Sequence, residues 1–180
     1  MARIAHLTDS EASGQTADLF GAIRSKLGMV PNLYRTAGKR PAVLEAMLGL
    51  GETLGKGSFD TKTREAIALA VAGANSCDYC ASAHSAISRS LKVDDAAIDA
   101  HLAGRAEDPR LAAILRLSLA IVETRGLVSD ADIEQARRAG LDDGDIIETT
   151  ANVVANILTN YLNHIAGTEI DFPARRARAA

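Results

Sequence analysis

The sequence predicts an all-α fold, and three observations lead to this prediction. Hydrophobic residues make up 47% of the chain, but aromatic residues make up only 3%. Alanine and leucine dominate the apolar positions and favour helices, whereas strands are enriched in β-branched and aromatic residues. Apolar residues also recur at helical spacing along most of the chain, and no segment alternates convincingly with period two.

The predicted domain organisation is simple. A chain of 180 residues is long enough for one domain with a sizeable core. We predict a single domain over residues 1–174, because Pro173 follows the last helix and cannot continue it. Residues 175–180 carry three arginines and form a short basic tail, which we expect to be loose and solvated.

The first helix is predicted to begin near Thr8. Thr8 is followed three residues later by Glu11, which is a capping-box pattern, and Gly28 ends the apolar periodicity. A short helix follows through Tyr34. Pro41 then suits the first turn of the next helix, because proline is favoured at that position.

The next two helices are predicted to form a hairpin. Asp60 is a good N-cap for a helix over residues 61–72, which is apolar on all sides beyond Glu65 and should therefore be buried. A turn at residues 73–76 leads into a helix over residues 77–91. Four further helices are predicted at about residues 95–102, 109–125, 129–139 and 142–165.

A faint internal repeat relates two parts of the chain at an offset of 68 or 69 residues. Each part begins with a proline at a helix start, followed by an N-capping residue and a glutamate five residues after the cap. The corresponding positions are Pro41 and Pro109, Asp60 and Ser129, and Glu65 and Glu134. The repeat predicts two related helical halves, of which only the first carries cysteines.

Charge and hydropathy exclude several classes of partner. The formal net charge is −3 without a broad basic excess, so we expect no nucleic-acid partner. The first ten residues lack the apolar segment of a signal peptide, and the uncharged run over residues 149–168 is too polar to span a membrane. We therefore expect a cytoplasmic protein, in which a cysteine pair is more often catalytic, redox-sensing or metal-binding than structural.

The two cysteines lie at the start of the second arm of the predicted hairpin. Cys77, Cys80 and His84 share one face of that helix. Glu65 and His84 lie about equally far from the bend on facing arms, so we predict that they meet. Cys77 lies at the helix start, where the dipole lowers the pKa of a thiol, whereas Cys80 lies deeper and needs the Glu65–His84 pair as proton acceptor.

Three interpretations of this cluster are possible, and we favour a redox site. The simplest alternative is a pair of buried structural cysteines in an alanine-rich helix. The other is a zinc site with Cys77, Cys80, His84 and Glu65 as ligands, although structural zinc sites usually draw on two ligand pairs and no second pair is present. A thioredoxin fold is disfavoured because no predicted strand precedes the motif.

An uncharged stripe of asparagines runs along the last long helix. It consists of Asn152, Asn156, Asn160 and Asn163. A solvated face would normally carry charged residues, so we interpret the stripe as a satisfied buried polar network. The alternatives are a subunit interface or one wall of the active site.

The pattern Glu65…Cys77-x-x-Cys80-x-x-x-His84 resembles the core motif of the AhpD-like alkylhydroperoxidases, within the carboxymuconolactone decarboxylase superfamily. Residues 29–34, 160–164 and 171–173 are also similar to segments of its peroxidase-related branch. The resemblance implies an AhpD-like helical domain whose central hairpin carries the C-x-x-C motif. It also implies trimers or hexamers and thiol-dependent peroxide reduction, with a dithiol such as a dihydrolipoyl protein as reductant. We therefore predict a thiol peroxidase or disulfide reductase that needs no cofactor.

The resemblance also implies a role for each residue of the motif. Cys80 matches the cysteine that attacks peroxide, Cys77 matches the one that closes the disulfide and is later attacked by the reductant, and Glu65 and His84 match the proton relay. Lactone decarboxylation is disfavoured because the decarboxylase branch lacks this cysteine pair. Tyr79 replaces a histidine of the best-characterised members, and tyrosine supports a site through hydrogen bonds but is a poor base. The alternative is therefore a redox-sensing or oligomeric interaction protein without meaningful turnover.

Overall fold

The computed structural model describes residues 2–177, which fold into nine α-helices without a β-strand in that range. The predicted all-α class is confirmed. The helices are α1 (Gln15–Leu27), α2 (Asn32–Ala37), α3 (Pro41–Leu54), α4 (Thr61–Ala74), α5 (Asp78–Ser90), α6 (Asp95–Leu102), α7 (Pro109–Thr124), α8 (Asp130–Arg138) and α9 (Asp143–Ala166). None of the helices within residues 2–177 is long and apolar enough to cross a membrane.

Helix α4 lies at the centre of the fold and packs against α5, α6, α7 and α9. Every residue from Ala66 to Gly73 is buried, as its uniformly apolar sequence predicts. Small residues allow the neighbouring helices to approach closely. A Cβ atom at Gly73, for example, would collide with the carbonyl oxygen of Leu102 at the end of α6.

The predicted hairpin is formed by α4 and α5. The bend between them uses Ser76 in the left-handed region, with φ of 56°, and the Cys77 N–H donates to the Ala72 carbonyl oxygen at 2.9 Å. Cys77 is the N-cap of α5 and not its first helical residue, since its sulfur accepts the Cys80 N–H at 3.4 Å. This arrangement fixes both cysteines at the N-terminal end of α5.

The predicted start of the first helix is wrong. The Thr8 N–H and hydroxyl both donate to the Glu11 carboxylate, at 2.7 and 2.8 Å, but this pair closes only a turn. The chain then passes through Gly14, with φ of 53°, before α1 begins at Gln15. The preceding segment is held against α2, because the Leu7 N–H donates to the Arg35 carbonyl oxygen, and it therefore cannot continue the line of α1.

The predicted looseness of the C-terminal tail is also wrong for residues 175–177. The Arg175 N–H donates to the Ser82 hydroxyl at 2.8 Å, and the Ala177 N–H donates to the Asp78 carboxylate at 2.8 Å. The Arg175 guanidinium also pairs with Asp95 and Asp99 at the surface of α6. The chain after α9 thus returns over the first turns of α5. Residues 178–180 lie outside the described residues, and the domain boundary at residue 174 stays a prediction.

The two repeated segments agree in local structure but not in packing. Helices α3 and α7 both begin with a proline, and side chains of Asp60 and Ser129 cap α4 and α8. However, α4 is almost completely buried, whereas α8 buries only Ala136. The partner of α4 in the core is α7 and not α3. The repeat therefore predicts helix boundaries without predicting equivalent halves.

Candidate active site

Glu65 on α4 and His84 on α5 meet as the hairpin geometry predicts. The His84 Nδ1 and Glu65 Oε2 atoms lie 2.8 Å apart, and both side chains are partly buried. The two residues lie on antiparallel helices about equally far from the bend, so their distance in sequence conceals their proximity. The pair is therefore positioned by two helices and not by loops.

The electrostatics of this pair favour an imidazolium. Burial alone would lower the pKa of His84, but the charge and hydrogen bond of Glu65, together with Cys77, more than offset it and raise the pKa of His84 above its usual value. His84 therefore holds a proton at neutral pH to a greater extent than a free histidine. The pair is therefore better suited to donate a proton first than to act as the proton acceptor that the sequence predicted for Cys80.

The two thiols differ in how readily they ionise. The hydrogen bond from the Cys80 side chain, assisted by the Cys80 N–H and His84, lowers the pKa of Cys77. The direction is the predicted one, but the main cause is Cys80 and not the helix dipole. The same contact with Cys77, together with burial, raises the pKa of Cys80 well above its usual value. Because the two sulfurs share one hydrogen bond, Cys77 is the thiol of the pair that ionises first and Cys80 is the one that keeps its proton.

The prediction that Cys80 lies deeper than Cys77 is wrong. Cys77 is 1% exposed and Cys80 is 2% exposed, and both are free thiols. Cys77 belongs to the same buried cluster as Ala177, which is attached to Asp78 through its N–H. The C-terminal segment thus covers the N-terminal end of α5, which the local sequence pattern alone would leave exposed.

A cavity of about 580 Å³ opens beside the motif and is bordered by Cys80, Glu65 and His84, but not by Cys77. Its walls are mainly apolar, and Met29, Leu50, Ile87 and Leu158 lie partly exposed within them. Tyr34 also borders the cavity; burial and the Glu65 carboxylate raise the pKa of its phenol, which stays neutral there. Of the two thiols, Cys80 is therefore the one that a small molecule in the cavity would meet.

Tyr79 is an anchor of the fold and lies outside the Glu65–His84 pair. Its hydroxyl accepts the Leu33 N–H at 3.1 Å and donates to the Asp171 carboxylate at 2.8 Å. Its ring packs edge-on against Phe172, with centroids 5.8 Å apart. Burial raises the pKa of Tyr79 further above neutrality, so it is not a base. It joins the C-x-x-C motif to α2 and to the segment after α9.

Replacing Tyr79 by phenylalanine should therefore lower the free energy of unfolding and leave the reactivity of the site almost unchanged. The ring would stay in place, but the buried Leu33 N–H would lose its partner, which costs about 1–3 kcal/mol. Urea denaturation should show this loss. The rate at which iodoacetamide alkylates Cys80 in the folded variant should stay within about threefold of the unmodified protein, and a loss of a hundredfold at unchanged stability would contradict the anchoring role.

The asparagine stripe on α9 divides into two pairs with different partners. Asn152 and Asn156 donate to carbonyl oxygens of their own helix, four residues earlier, and border the cavity. Asn163 donates to the Cys80 sulfur at 3.3 Å, and Asn160 accepts a hydrogen bond from Asn75. Asn160 Nδ2 and Asn163 Oδ1 are buried without a partner, so the predicted satisfied network is wrong at its C-terminal end. The stripe instead forms part of the wall around Cys80.

The zinc alternative finds no matching geometry in the described part of the chain. Across residues 2–177, no group of three or more His, Cys, Asp and Glu side chains is arranged to hold a metal ion. Cys77, Cys80, His84 and Glu65 form instead two adjacent hydrogen-bonded pairs, one of thiols and one of imidazole and carboxylate.

Comparison with known proteins agrees with the resemblance of the motif. The family described as "Carboxymuconolactone decarboxylase family" matches residues 41–124, which span α3 to α7 and include the whole motif. The sequence matches none of the curated proteins.

Solved structures share the fold over nearly the whole chain. A peroxidase-related protein from Ralstonia eutropha JMP134, described as an alkylhydroperoxidase AhpD core, is 25% identical, with a TM-score of 0.84 over 94% of this chain and 92% of that one. A peroxidase-related protein from Silicibacter sp. TM1040 is 24% identical, with a TM-score of 0.81 over 93% and 92%. The debrominase Bmp8, solved as a cysteine-to-alanine variant with 2,3,4-tribromopyrrole, is 22% identical, with a TM-score of 0.78 over 94% and 91%.

Proposed function

We propose that this chain, a member of the AhpD-like and carboxymuconolactone decarboxylase superfamily, is a cofactor-independent thiol peroxidase that reduces apolar hydroperoxides. One observation carries the proposal. Of the two cysteines, Cys80 borders an apolar cavity, and the Glu65–His84 pair borders the same cavity. A nucleophile and a proton donor therefore face one cavity that is large enough for an organic substrate.

The first step joins Cys80 to the peroxide. After Cys80 passes its proton to Cys77, the Cys80 thiolate attacks the terminal oxygen of the hydroperoxide. The O–O bond breaks, Cys80 becomes a sulfenic acid, and the leaving alkoxide takes a proton from the His84 imidazolium. Sulfur is oxidised and the peroxide is reduced to an alcohol. Glu65 stabilises the imidazolium before this step and orients the ring during it.

The second step closes the disulfide. His84, now neutral, takes the proton from Cys77, and the Cys77 thiolate displaces hydroxide from the Cys80 sulfenic acid. The hydroxide recovers the proton from His84 and leaves as water. An external dithiol then restores both thiols by two exchange reactions. From the cavity this dithiol meets Cys80; attack on Cys77, as the resemblance implies, requires residues 175–177 to move first.

The physiological context is also a proposal. The resemblance supports a homo-oligomer, a trimer or hexamer, and a dihydrolipoyl protein as the source of the dithiol. Exposed apolar residues along α9, including Val154, Leu158, Tyr161 and Ile165, are compatible with such an assembly. Sedimentation at several protein concentrations and a panel of dithiols that includes dihydrolipoamide would test these two points separately.

Steady-state peroxide consumption tests the function itself. With dihydrolipoamide in excess, kcat/KM for cumene hydroperoxide should exceed that for hydrogen peroxide by roughly tenfold or more. Burial of one aromatic ring against the apolar wall contributes about 2 kcal/mol to the transition state. Many turnovers per chain would exclude a sensor without turnover. A preference for hydrogen peroxide, or no consumption of any peroxide, would contradict the proposal.

Reductive dehalogenation is a second candidate for the same site, because the debrominase Bmp8 shares the fold and the cavity here is apolar. Cys80 thiolate would take the halogen from a ring carbon, and His84 would protonate the carbanion. Cys77 thiolate would then displace halide from the sulfenyl halide to form the disulfide. Release of bromide from 2,3,4-tribromopyrrole, measured in the same dithiol assay, distinguishes this reaction from peroxide reduction.

A further inference from the structure

The Cys80 sulfur is contacted from α9 by a carboxamide that the proposed mechanism does not yet use. The Asn163 Nδ2 atom lies 3.3 Å from the sulfur, and both residues are buried. Asn163 does not border the cavity, whereas Cys80 does. The amide thus holds the sulfur from the protein side and leaves the cavity side free.

A second carboxamide lies next to it. Asn160 is fully buried, and Asn75 holds its oxygen by donating at 3.0 Å, so its Nδ2 atom is left without a well-aligned partner. Its interaction with the sulfur, like that of Asn163, lowers the pKa of Cys80 and opposes the effects of Cys77 and burial. Asn163 is therefore the amide that donates to the sulfur, and the unpartnered Nδ2 atom of Asn160 lies one turn earlier on the same helix.

The arrangement leaves polar atoms unpaired in the interior. Asn163 Oδ1 is buried without a partner, and a leucine of similar size would avoid that cost. Uncompensated polar groups of this kind occur where a site needs them. Asn152 and Asn156 lie on the same helix, but their side-chain amides donate to backbone carbonyl oxygens of α9. A position on α9 therefore does not by itself explain why Asn163 donates to the Cys80 sulfur.

We propose that Asn163, assisted by Asn160, stabilises the thiolate of Cys80 and orients its reactive side towards the cavity. This inference rests on the proposed function only for naming Cys80 as the attacking thiol. Cys77 ionises more readily, but Cys80 is the thiol that borders the cavity, and the amides explain how Cys80 becomes the nucleophile. The proton moves from Cys80 to Cys77 along their shared hydrogen bond, and the amides stabilise the negative charge that Cys80 gains. No bond other than S–H is made or broken.

The size of the benefit follows from thiol chemistry. A tenfold gain in the thiolate fraction of Cys80 is partly offset by weaker intrinsic nucleophilicity, which leaves a net gain of roughly threefold at neutral pH. At a pH where Cys80 is a thiolate in every chain, the amides no longer increase the thiolate fraction. A Cys80 thiolate without the amides is then the stronger nucleophile. The effect of the amides should therefore reverse with pH, which damage to the fold would not produce.

The test measures alkylation of Cys80 by iodoacetamide as a function of pH, in chains carrying Cys77→Ser. Serine remains a good N-cap for α5 and makes Cys80 the single thiol. Asn163→Leu in this background should move the ionisation midpoint to higher pH and slow alkylation at pH 7 by roughly threefold or more. Above both midpoints the Asn163→Leu chain should react as fast as the reference or faster.

The matched control is Thr149→Val, a buried isosteric change on α9 at a hydroxyl without a partner. It should leave the midpoint unchanged. If Asn163→Leu does not fold, Asn163→Asp keeps the side-chain size, removes the donor and should raise the midpoint further. The other ionisable groups around Cys80 are the same in every chain compared, namely Tyr79 and His84 on α5, Arg64 and Glu65 on α4, and Tyr34 on α2.

Two outcomes would overturn the inference: an unchanged midpoint in both Asn163 variants, or equal slowing at every pH. Alkylation involves no peroxide, so the result is independent of the proposed function. A shifted midpoint in a protein that consumes no peroxide would support the amide pair and reject the peroxidase. An unshifted midpoint in an active peroxidase would do the reverse.

Discussion

Replacing Cys80 by serine should lower single-turnover peroxide consumption roughly 10³-fold or more, because it removes the nucleophile that borders the cavity. A serine hydroxyl does not ionise near neutral pH, and the neighbouring Cys77 is closed off from the cavity. The measurement mixes reduced protein with a stoichiometric amount of cumene hydroperoxide and follows its disappearance. The fold should persist, since serine has nearly the size of cysteine.

The matched variant is Cys77→Ser, which should still reduce one equivalent of peroxide but should not turn over again. Its Cys80 sulfenic acid has no resolving thiol and should accumulate to one equivalent per chain, as trapping with a sulfenic-acid reagent would show. Steady-state turnover with dihydrolipoamide should then fall close to background. If instead Cys80→Ser consumes one equivalent and Cys77→Ser consumes none, the two roles are reversed.

This pair of variants decides between two physical criteria. Ionisation favours Cys77, whose pKa is lowered by Cys80 and His84, whereas access favours Cys80. Access is the stronger criterion, because a proton moves along a shared hydrogen bond far more easily than a buried sulfur reaches a cavity that it does not border. The reversed result would mean that residues 175–177 open before the chemistry begins.

Local rules were sufficient to predict the hairpin and the meeting of Glu65 with His84. A capped apolar helix, a short turn and a second helix determine which positions face each other, and this needs no information from the rest of the chain. The N-cap position of Cys77 was missed by one residue. That is the usual uncertainty of a helix end, and it did not change the face shared by Cys77, Cys80 and His84.

The features that could not be predicted involve residues far apart in sequence. The burial of the helix start near Cys77 depends on Ala177, which contacts Asp78 from 99 positions away. Tyr79 could be judged from sequence only as a substitute for a base, because its partners Leu33 and Asp171 lie 46 and 92 positions away. Spacing likewise predicted a buried asparagine stripe without indicating that Asn163 points at Cys80.

Removing the charge of Glu65 should shift the pH dependence of turnover in a direction that the structure determines. Glu65 raises the pKa of His84, so the acid form of His84 persists to higher pH than in a free histidine. Activity that depends on the imidazolium is full below the pKa of His84 and declines as pH rises through it. In Glu65→Gln this decline should begin at lower pH, and kcat/KM at pH 8 should fall about tenfold to a hundredfold.

Two further variants identify the cause of that shift. Glu134→Gln is a matched control, because Glu134 is the repeat counterpart of Glu65 but pairs with Arg137 at the surface of α8; its pH profile should be unchanged. His84→Gln should lose about 10²–10⁴-fold across the whole range, since no acid remains to protonate the alkoxide. If Glu65→Gln lowers activity equally at pH 6 and pH 8, Glu65 positions the ring of His84 without controlling its protonation, and the proposed order of proton transfers fails.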